Sequence, residues 1–376
     1  MDVNSYELAA KKLFDYLSKK HWDGNVLIGP DPIGKIHWRI TRFVRSYIPW
    51  LPGDDRYVYL QGQAYWIKAN LLLYQFTEES GYMDLVNACA SAVVERQPSD
   101  GAWRHPPIRW RKGFISTVEG VWASLGLIAA YRESGKPFYL EAALKWYDFQ
   151  INQIGFQSVG GGLAVNYYSH SKSKVPNVTT MMLWLAAELF QVTNDIQFLD
   201  KTTGMLQFIE YCQIDTGELP YSYPNRIHFM CYQYNAFQFI DLANYYQLTG
   251  NEKCGRILKK LSAFLATGLS ENSHCRYSCS KDAPEVNYWT AVLAASLRRA
   301  SELGLGNYLS LSEKAYCYLL TRQRPDGGFN FSEHNYGLLT DRRSYPRYLA
   351  MLLYFLLYRA YVDFRQNESD IPTEPF

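Results

Sequence analysis

The sequence lacks long hydrophobic runs and an excess of charge of either sign. Its longest apolar segments, such as 349–358, fall well short of the ~20 residues that a transmembrane helix needs. The segment 1–20 is polar and amphipathic, without the apolar stretch of a secretory signal. With 38 basic and 36 acidic residues the net charge is +2, so no global field attracts nucleic acid or an anionic membrane. We therefore expect a cytoplasmic protein with no transmembrane segment and no nucleic-acid partner.

Cysteine is scarce and shows neither metal-binding nor disulfide spacing. The seven cysteines are scattered and odd in number, which fits reduced thiols in a cytoplasm better than a disulfide framework. The segment 273–282 brings His274, Cys275, Cys279 and Asp282 close along the chain, but it has no CxxC and no second ligand pair. Phosphate loops, dinucleotide-binding fingerprints, nucleophile elbows and HExxH are also missing. The sequence thus predicts neither a metal nor a cofactor, and it argues against P-loop, Rossmann and α/β-hydrolase chemistry.

Aromatic residues are abundant: the 376 residues include 31 Tyr, 19 Phe and 10 Trp. With 48% of its residues hydrophobic, the chain is long enough to bury a large core. No Pro-, Gly- or Ser-rich linker divides it, so we predict one domain over residues 1–376. Beyond the core, many Tyr and Trp side chains suit a pocket that stacks on sugar rings or shields a cation.

An internal repeat is the strongest signal in the sequence. A small turn residue separates two helical runs at Gly81, Gly135, Asn194, Gly250 and Gly306, at intervals of 54 to 59 residues. Gly or Asn after a helix, followed by a new helical run, indicates a helical hairpin. Between the hairpins, a turn residue precedes alternating aromatic and polar residues, which indicates short extended excursions. These excursions are 97–105, 159–170, 213–223, 271–280 and 323–332.

The repeat predicts twelve helices arranged as six hairpins. The even-numbered helices are continuously apolar, as in 121–131 and 349–358, whereas the odd-numbered ones are amphipathic. We therefore predict an all-α (α/α)6 toroid whose even-numbered helices form the inner ring. An open solenoid and two separate bundles are the alternatives, disfavoured by the repeat count and the uniform spacing. The helices are expected at roughly 4–20, 57–78, 82–97, 115–134, 138–154, 176–193, 197–213, 230–248, 252–269, 286–303, 307–323 and 343–364.

In such a ring the excursions and the starts of the inner helices lie at the same end, so their side chains converge on the central cavity. Helix capping explains some of the polar residues there, such as Asn177, but it does not require Gln, Tyr, Arg and His at so many starts. A polar cavity with aromatic walls suits a carbohydrate, whose hydroxyls need paired partners and whose faces need rings. The candidate substrate-binding residues are Gln61, Gln63, Trp103, His105, Tyr167, His170, Asn177, Tyr221, His228, Gln233, Asn235, Asn287, Tyr288, Asp341, Arg343 and Arg347.

Three carboxylates are the candidate catalytic residues. Asp54 and Asp55 directly precede the first inner helix, and adjacent like charges can push one pKa towards neutrality. Neighbours along a chain need not face the same way, so we expect at most one of the two to face the cavity. Glu119 lies one turn into an otherwise apolar inner helix, where burial would raise its pKa. The alternatives are helix-dipole stabilisation for the aspartates and a buried hydrogen bond to a neighbouring helix for Glu119.

Arginines also gather towards this end of the predicted ring. The segment 38–45 spaces three arginines by three residues, and 341–347 contains three more. They form either a solvated loop surface or a bidentate clamp for carboxylate or phosphate groups of a ligand. The second reading predicts that Arg343 or Arg347 anchors an anionic sugar.

Two of the excursions resemble a known repeat. QPSDGAW (97–103) and QRPDGGF (323–329) are similar to the QxxDGxW-type repeat of the terpenoid-cyclase and protein-prenyltransferase α/α-toroid superfamily. This resemblance implies the fold and not the chemistry, because the DxDD acid motif and the prenyltransferase zinc set are absent. The stretch 53–74 looks more like toroid proteins encoded with bacterial exopolysaccharide-biosynthesis genes, which often carry a prenyltransferase-like label. That second resemblance implies a role in polysaccharide biosynthesis.

Three functional hypotheses follow. The first is a carbohydrate-active enzyme of polysaccharide or glycoconjugate biosynthesis or processing that applies carboxylate acid/base chemistry to an anionic sugar or oligosaccharide; hydrolysis, elimination and epimerisation all remain open. The second is an atypical terpenoid cyclase or prenyl-diphosphate-handling enzyme, against which the many Gln, Asn and Arg at the helix starts count. The third is a non-catalytic glycan-binding toroid, which would need no perturbed carboxylate in the cavity.

Overall fold

The computed structural model describes residues 3–31, 36–48, 50–51, 56–105, 113–224, 226–335 and 338–367. The predicted acids Asp54 and Asp55 lie outside the described residues. The helices of the described part are α1 (Val3–Lys20), α2 (Ile36–Tyr47), α3 (Leu60–Thr77), α4 (Ser80–Glu95), α5 (Thr117–Ser134), α6 (Pro137–Phe149), α7 (Pro176–Thr193), α8 (Thr202–Cys212), α9 (Cys231–Thr249), α10 (Glu252–Leu265), α11 (Asn287–Glu302), α12 (Leu309–Arg322) and α13 (Pro346–Asn367). None of them is long and apolar enough to cross a membrane.

Six of these helices form a closed inner ring. Along α3, α5, α7, α9, α11 and α13 each helix packs on the next, and α13 packs back on α3. The outer helices α1, α4, α6, α8, α10 and α12 pack on α13, α3, α5, α7, α9 and α11 respectively. The (α/α)6 toroid is therefore confirmed, with all twelve predicted helices present and the even-numbered ones inside.

The inner helices are apolar because neighbours cover nearly every face. In α3 all residues from Leu60 to Leu73 are buried, and in α7 all residues from Pro176 to Leu189. The outer helix α10 buries one side only, from Cys254 to Leu265, and presents charged residues on the other. The inner helices are buried on all sides and the outer helices on one side, and this explains why the inner helices are continuously apolar in sequence and the outer ones amphipathic.

Left-handed residues end the inner helices at most of the predicted turns. Gly135 (φ 66°), Asn194 (φ 58°) and Gly250 (φ 63°) each donate a backbone N–H to the carbonyl four residues earlier. In the first hairpin this place is taken by Glu78 (φ 57°), and Gly81 lies inside α4. The predicted turn residue was wrong there, because the chain already reverses before Gly81.

The repeated glutamine and glycine motif ties the outer helices together. In each of three copies the glutamine amide donates to the carbonyl of the glycine four residues later and to a carbonyl on a neighbouring outer helix. These pairs are Gln97 with Ala142 of α6, Gln213 with Ile257 of α10, and Gln323 with Ala9 of α1. A Cβ on Gly217 would lie 2.2 Å from the Lys260 carbonyl oxygen, so only glycine fits this close approach. The motif is structural, as its sequence context implied.

Two of the excursions form antiparallel sheets over the starts of the inner helices. The first, β1 (Phe156–Val159), β2 (Gly162–Tyr168) and β3 (Ser171–Lys174), precedes α7. The second, β4 (Glu285–Val286), β5 (Ser332–Asn335) and β6 (Leu339–Asp341), joins the start of α11 to that of α13. They position loop side chains above the ring.

Helix α2 was not predicted. No apolar run marks it as part of the repeat, and its regularly spaced arginines fitted either a solvated loop surface or a clamp for anionic groups. In the structure, Arg42 donates to the Asp31 carbonyl oxygen and Arg343 donates to the Arg39 carbonyl oxygen at 3.2 Å. The helix thereby lies beside the mouth of the ring.

Candidate functional site

A cavity of about 630 Å³ lies where the first turns of all six inner helices meet. Its lining combines arginines, amides, tyrosines and apolar rings, and the residues described there include no carboxylate and no histidine. The lining residues are Arg39, Gln61, Val118, Tyr167, Asn177, Met181, Tyr221, Phe229, Met230, Gln233, Tyr234, Phe237, Tyr277, Tyr288, Trp289, Phe331, Asn335, Arg343, Arg347, Tyr348 and Met351. The predicted convergence of helix starts is therefore observed.

Eight of the sequence candidates line this cavity. They are Gln61, Tyr167, Asn177, Tyr221, Gln233, Tyr288, Arg343 and Arg347. Each reaches the cavity from the first turn of an inner helix or from the segment directly before one. Their common location at the cavity is observed, whereas their function as ligand contacts stays a prediction.

Gln233, Tyr288 and Tyr348 form a connected wall of the cavity. The Gln233 amide donates to the Tyr288 hydroxyl at 3.0 Å, and the Tyr288 ring stacks on Tyr348 with centroids 4.1 Å apart. Burial raises the pKa of Tyr348 to about 12, against the opposing effect of the adjacent Arg347 guanidinium. Tyr348 is thus protonated at neutral pH and can donate a proton, after which Arg347 would stabilise the phenolate.

Two buried amide oxygens in the wall have no hydrogen-bond partner among the described residues. They are Oε1 of Gln233 and Oδ1 of Asn177, on side chains that are 6% and 8% exposed. A buried acceptor without a partner costs about 1–3 kcal/mol. Ligand hydroxyls at these two positions would remove that cost.

Arg347 is held by a buried aspartate and by two aromatic rings. Its Nη2 lies 2.8 Å from Asp31 Oδ2 and donates to the Tyr348 hydroxyl at 2.7 Å. The guanidinium lies 4.6 Å from the ring centroids of both Tyr59 and Tyr348. These contacts fix the cation at the cavity wall, because Asp31 is fully buried and cannot move into solvent.

Arg343 has a similar arrangement with Asp341. Asp341 is fully buried, and its carboxylate accepts bidentate hydrogen bonds from Arg343, one of them from Nε at 2.7 Å. Asn335 donates to the same carboxylate at 3.3 Å. The predicted candidate Asp341 therefore orients an arginine and is not itself part of the described lining.

Glu119 lies behind the cavity and caps the first inner helix. Its Oε2 accepts the backbone N–H of Leu60 at 2.7 Å, and only 1% of the residue is exposed. Burial raises the pKa of Glu119 to about 7, although Arg347 and the helix N–H groups lower it. The predicted perturbation is present, and the buried hydrogen bond to a neighbouring helix is present as well.

Four further candidates bind backbone and do not line the cavity. Gln63 brackets Leu27, accepting from its N–H and donating to its carbonyl, both at 2.8 Å. Asn235 brackets Leu219 in the same way. The indole of Trp103 donates to the Val93 carbonyl, and Asn287 donates to the Asn330 carbonyl. These side chains hold the loops onto the ring.

The three candidate histidines also lie away from the described lining. His105 is buried edge-on to Tyr59, and exposed His170 stacks with Phe114 and Tyr168. His228 contacts Glu218 and Cys279 outside the cavity, the one described group of side chains that could hold a metal ion.

A second cavity of about 680 Å³ shares Arg343 with the first one. Basic residues dominate its lining, with Asp23 as the one carboxylate among the described residues there. The basic residues of this lining are Lys20, Arg42, Arg45, Arg56, Arg342 and Arg343.

Sequence reasoning missed several residues of the lining. Tyr348 follows Arg347 directly, and its position at the start of the last inner helix was a usable signal. Arg39 lies on α2, and the sequence left its role open between a solvated loop surface and a clamp for anionic groups. Phe229 lies in a loop whose course the sequence does not define, and Asn335 is the last residue of β5.

No family model matches the chain, and no curated protein matches it in sequence. Solved structures do resemble it. A cellobiose 2-epimerase from Bacillus thermoamylovorans is 13% identical with a TM-score of 0.75, covering 95% of this chain and 99% of that one. A possible member of the GH105 family from Salmonella enterica is 14% identical with a TM-score of 0.71, covering 97% and 95%. A polysaccharide lyase is 14% identical with a TM-score of 0.65, covering 97% and 100%. At these identities the likeness shows the fold, and the resemblance to cyclases and prenyltransferases stays a prediction.

Proposed function

We propose that this protein is a carbohydrate-active enzyme that binds an anionic sugar or oligosaccharide in the central cavity. The observation that carries the proposal is the composition of the lining, which joins arginines, partnerless amide oxygens and stacked tyrosines in one space. Arginine suits a sugar carboxylate, amides suit hydroxyls, and aromatic rings suit the faces of a pyranose. The resembling structures carry names of a sugar epimerase, a glycoside hydrolase family and a polysaccharide lyase, which supports the same class.

The chemistry that fits best is removal of a proton next to the sugar carboxylate, as in elimination or epimerisation. Hydrolysis by the usual route needs two carboxylates that flank the scissile bond. The described lining offers none, whereas its arginines would stabilise negative charge developing on a uronate carboxylate. Tyr348 would act as the proton donor.

The base in this proposal is Asp54 or Asp55. Both lie within six residues of the start of α3 in the sequence, and the second residue of that helix, Gln61, lines the cavity. Glu119 remains the alternative, since its pKa of about 7 suits acid/base work, although its Oε2 is engaged by the Leu60 N–H. The substrate decides whether the reaction serves the biosynthesis or the degradation of a glycan, and the proposal covers both.

Hydrogen exchange in D₂O tests this reaction directly. The protein is incubated with uronate oligosaccharides from galacturonan, glucuronan and alginate, and loss of the C5 proton is followed by NMR. Elimination removes this proton and leaves a C4–C5 double bond as the C4 substituent departs, and epimerisation replaces it with deuterium, whereas hydrolysis leaves it in place and releases reducing ends. We expect loss of the C5 proton signal, which Y348F and either D54N or D55N should prevent and Y147F should not, since the Tyr147 phenol lies on the outer helix α6. Loss of the C5 proton that persists in Y348F, D54N and D55N alike would refute the assignment.

A non-catalytic glycan-binding toroid is the second candidate, favoured by the absence of carboxylates from the described lining. It predicts binding without exchange. Thermal-shift screening against uronic acids, nucleotide sugars and prenyl diphosphates separates both candidates from a prenyl-handling protein, which only the diphosphates would stabilise. In the same screen, R39Q should weaken stabilisation by uronates, and R256Q on the exposed face of α10 should not.

A further inference from the structure

Three segments beside the cavity bring a carboxylate, an imidazole and a thiol together. Glu218 follows the glutamine and glycine motif after α8, His228 lies in the turn before α9, and Cys279 lies in the loop before β4. One ligand atom from each lies within 4.8 Å of the other two. Cys231, the first residue of α9, adds a second thiol whose Sγ is 3.6 Å from Cys279 Sγ.

The separations approach those of a tetrahedral zinc site. Zinc bonds of ~2.3 Å to sulfur and ~2.0 Å to nitrogen imply ligand atoms about 3.3–3.8 Å apart. Cys279 Sγ lies 3.3 Å from His228 Nδ1, and the two sulfurs are 3.6 Å apart. His228 Nδ1 and Glu218 Oε2 are 2.7 Å apart, so a metal between them would replace one hydrogen bond and open this edge slightly.

Glu218 is a buried carboxylate that has no lysine or arginine partner among the described residues. The residue is fully buried, and its two oxygens contact the backbone N–H of His228 at 2.6 Å and the ring of His228 at 2.7 Å. A buried negative charge normally requires a paired cation or a metal. His228 is half exposed, with 47% of its side chain accessible, so an ion can enter from solvent.

We propose that Glu218, His228 and Cys279 bind a zinc ion, with Cys231 as the fourth ligand after rotation of its side chain. Sulfur and imidazole ligands select zinc over magnesium or calcium. The sequence predicted no metal, because the neighbours of Cys279 along the chain, His274, Cys275 and Asp282, include no CxxC and no second ligand pair. The fold pairs Cys279 instead with residues some 50 positions earlier in the chain.

The ion would fix one side of the cavity. Phe229 and Met230, between His228 and α9, line the cavity, and so does Tyr277 of the Cys279 loop. Zinc would join these segments to each other and to the end of the α8 loop. The site is independent of the proposed reaction, and its test needs no substrate.

Metal content and stability provide the test. Protein purified without chelator, or reconstituted with Zn²⁺ after EDTA treatment, should hold about one zinc per chain and melt at a higher temperature than the EDTA-treated form. Cobalt substitution should give a thiolate-to-metal charge-transfer band, which C279S abolishes and C231S reduces. C317S on α12 is the matched control and should keep the zinc and the band.

H228A removes a half-exposed side chain and so tests the site with little risk to folding. It should weaken zinc binding by more than the ~10–100-fold that loss of an outer-shell partner costs, and added Zn²⁺ should not raise its melting temperature. Absence of stoichiometric zinc after reconstitution would overturn the proposal. The proposal would also be overturned if freshly purified protein contained a Cys231–Cys279 disulfide and the protein still bound no zinc after that disulfide was reduced.

Discussion

The free energy of unfolding should fall with rising pH partly because Glu119 ionises, and replacing Glu119 with glutamine should remove that part of the pH dependence. Glu119 is 1% exposed and accepts the Leu60 N–H at 2.7 Å. Two effects on its carboxylate compete, since burial favours the neutral acid while Arg347 and the N-terminus of α3 favour the anion. Burial is the larger effect and raises the pKa from 4.5 to about 7.

The sign follows from proton binding in the two states. Between the unfolded pKa of 4.5 and the folded pKa of about 7, the folded protein holds a proton that the unfolded chain has lost. The contribution of Glu119 to stability is therefore fully present below pH 4.5 and is lost as the pH rises through 7. The difference between 7 and 4.5, at about 1.36 kcal/mol per pKa unit, corresponds to about 3 kcal/mol, most of which is lost between roughly pH 5 and pH 8.

The assay is urea denaturation followed by tryptophan fluorescence at a series of pH values. Glutamine keeps an acceptor for the Leu60 N–H but cannot ionise, so the wild-type protein should lose about 2–3 kcal/mol more than E119Q between roughly pH 5 and pH 8. Only this difference is diagnostic, because other buried groups titrate in both proteins. E141Q, an exposed change on α6, should follow the wild type. If the difference in unfolding free energy between wild type and E119Q did not change with pH, the raised pKa of Glu119 would be refuted. If that difference changed in the opposite direction, the effect of Arg347 would outweigh that of burial.

Three further changes probe packing and charge. R347M should destabilise the protein by about 3–5 kcal/mol because it removes one partner of the buried Arg347–Asp31 ion pair, and D31N/R347M should recover most of the loss in the same denaturation assay. G120A should cost about 1–3 kcal/mol, since its Cβ would lie 2.0 Å from Trp146, and an unchanged melting temperature would contradict this packing. G81A meets no atom within 4 Å and lies in a helix, so it should raise stability by about 0.5–1 kcal/mol.

The fold was predictable because its signals are local and repeated. Continuously apolar inner helices and left-handed glycines can be read from short windows, and six copies of the pattern imply closure into a ring. Helix α2 (Ile36–Tyr47) stands outside the repeat and has no continuous apolar run, and the one signal in its window is the helical spacing of Ile36, Ile40, Val44 and Tyr47. The position of Gly81 was misjudged for a related reason, since one glycine can end a helix or lie inside the next.

The site was predictable in location but only partly in membership. Helix starts converge by geometry, which placed residues such as Gln61 and Gln233 at the cavity. Gln63 and Asn235 have the same chemistry at the same end of the ring, yet they bind backbone carbonyls. An amide that holds a loop and an amide that binds a ligand look alike in sequence, because the difference lies in which backbone group passes nearby.

The charges around the cavity discriminate between the candidate ligands. Arg343 and Arg347 are each paired with a fully buried aspartate, so the wall is less cationic than the sequence suggests. Such arginines present donors with defined directions but little uncompensated charge, which suits one carboxylate surrounded by hydroxyls. A prenyl diphosphate carries several negative charges on an apolar chain, and in this cavity it would face partnerless amide oxygens that repel it. We therefore expect uronates to bind more tightly than diphosphates, with a modest salt dependence, and a steep salt dependence in which diphosphates win would contradict this account.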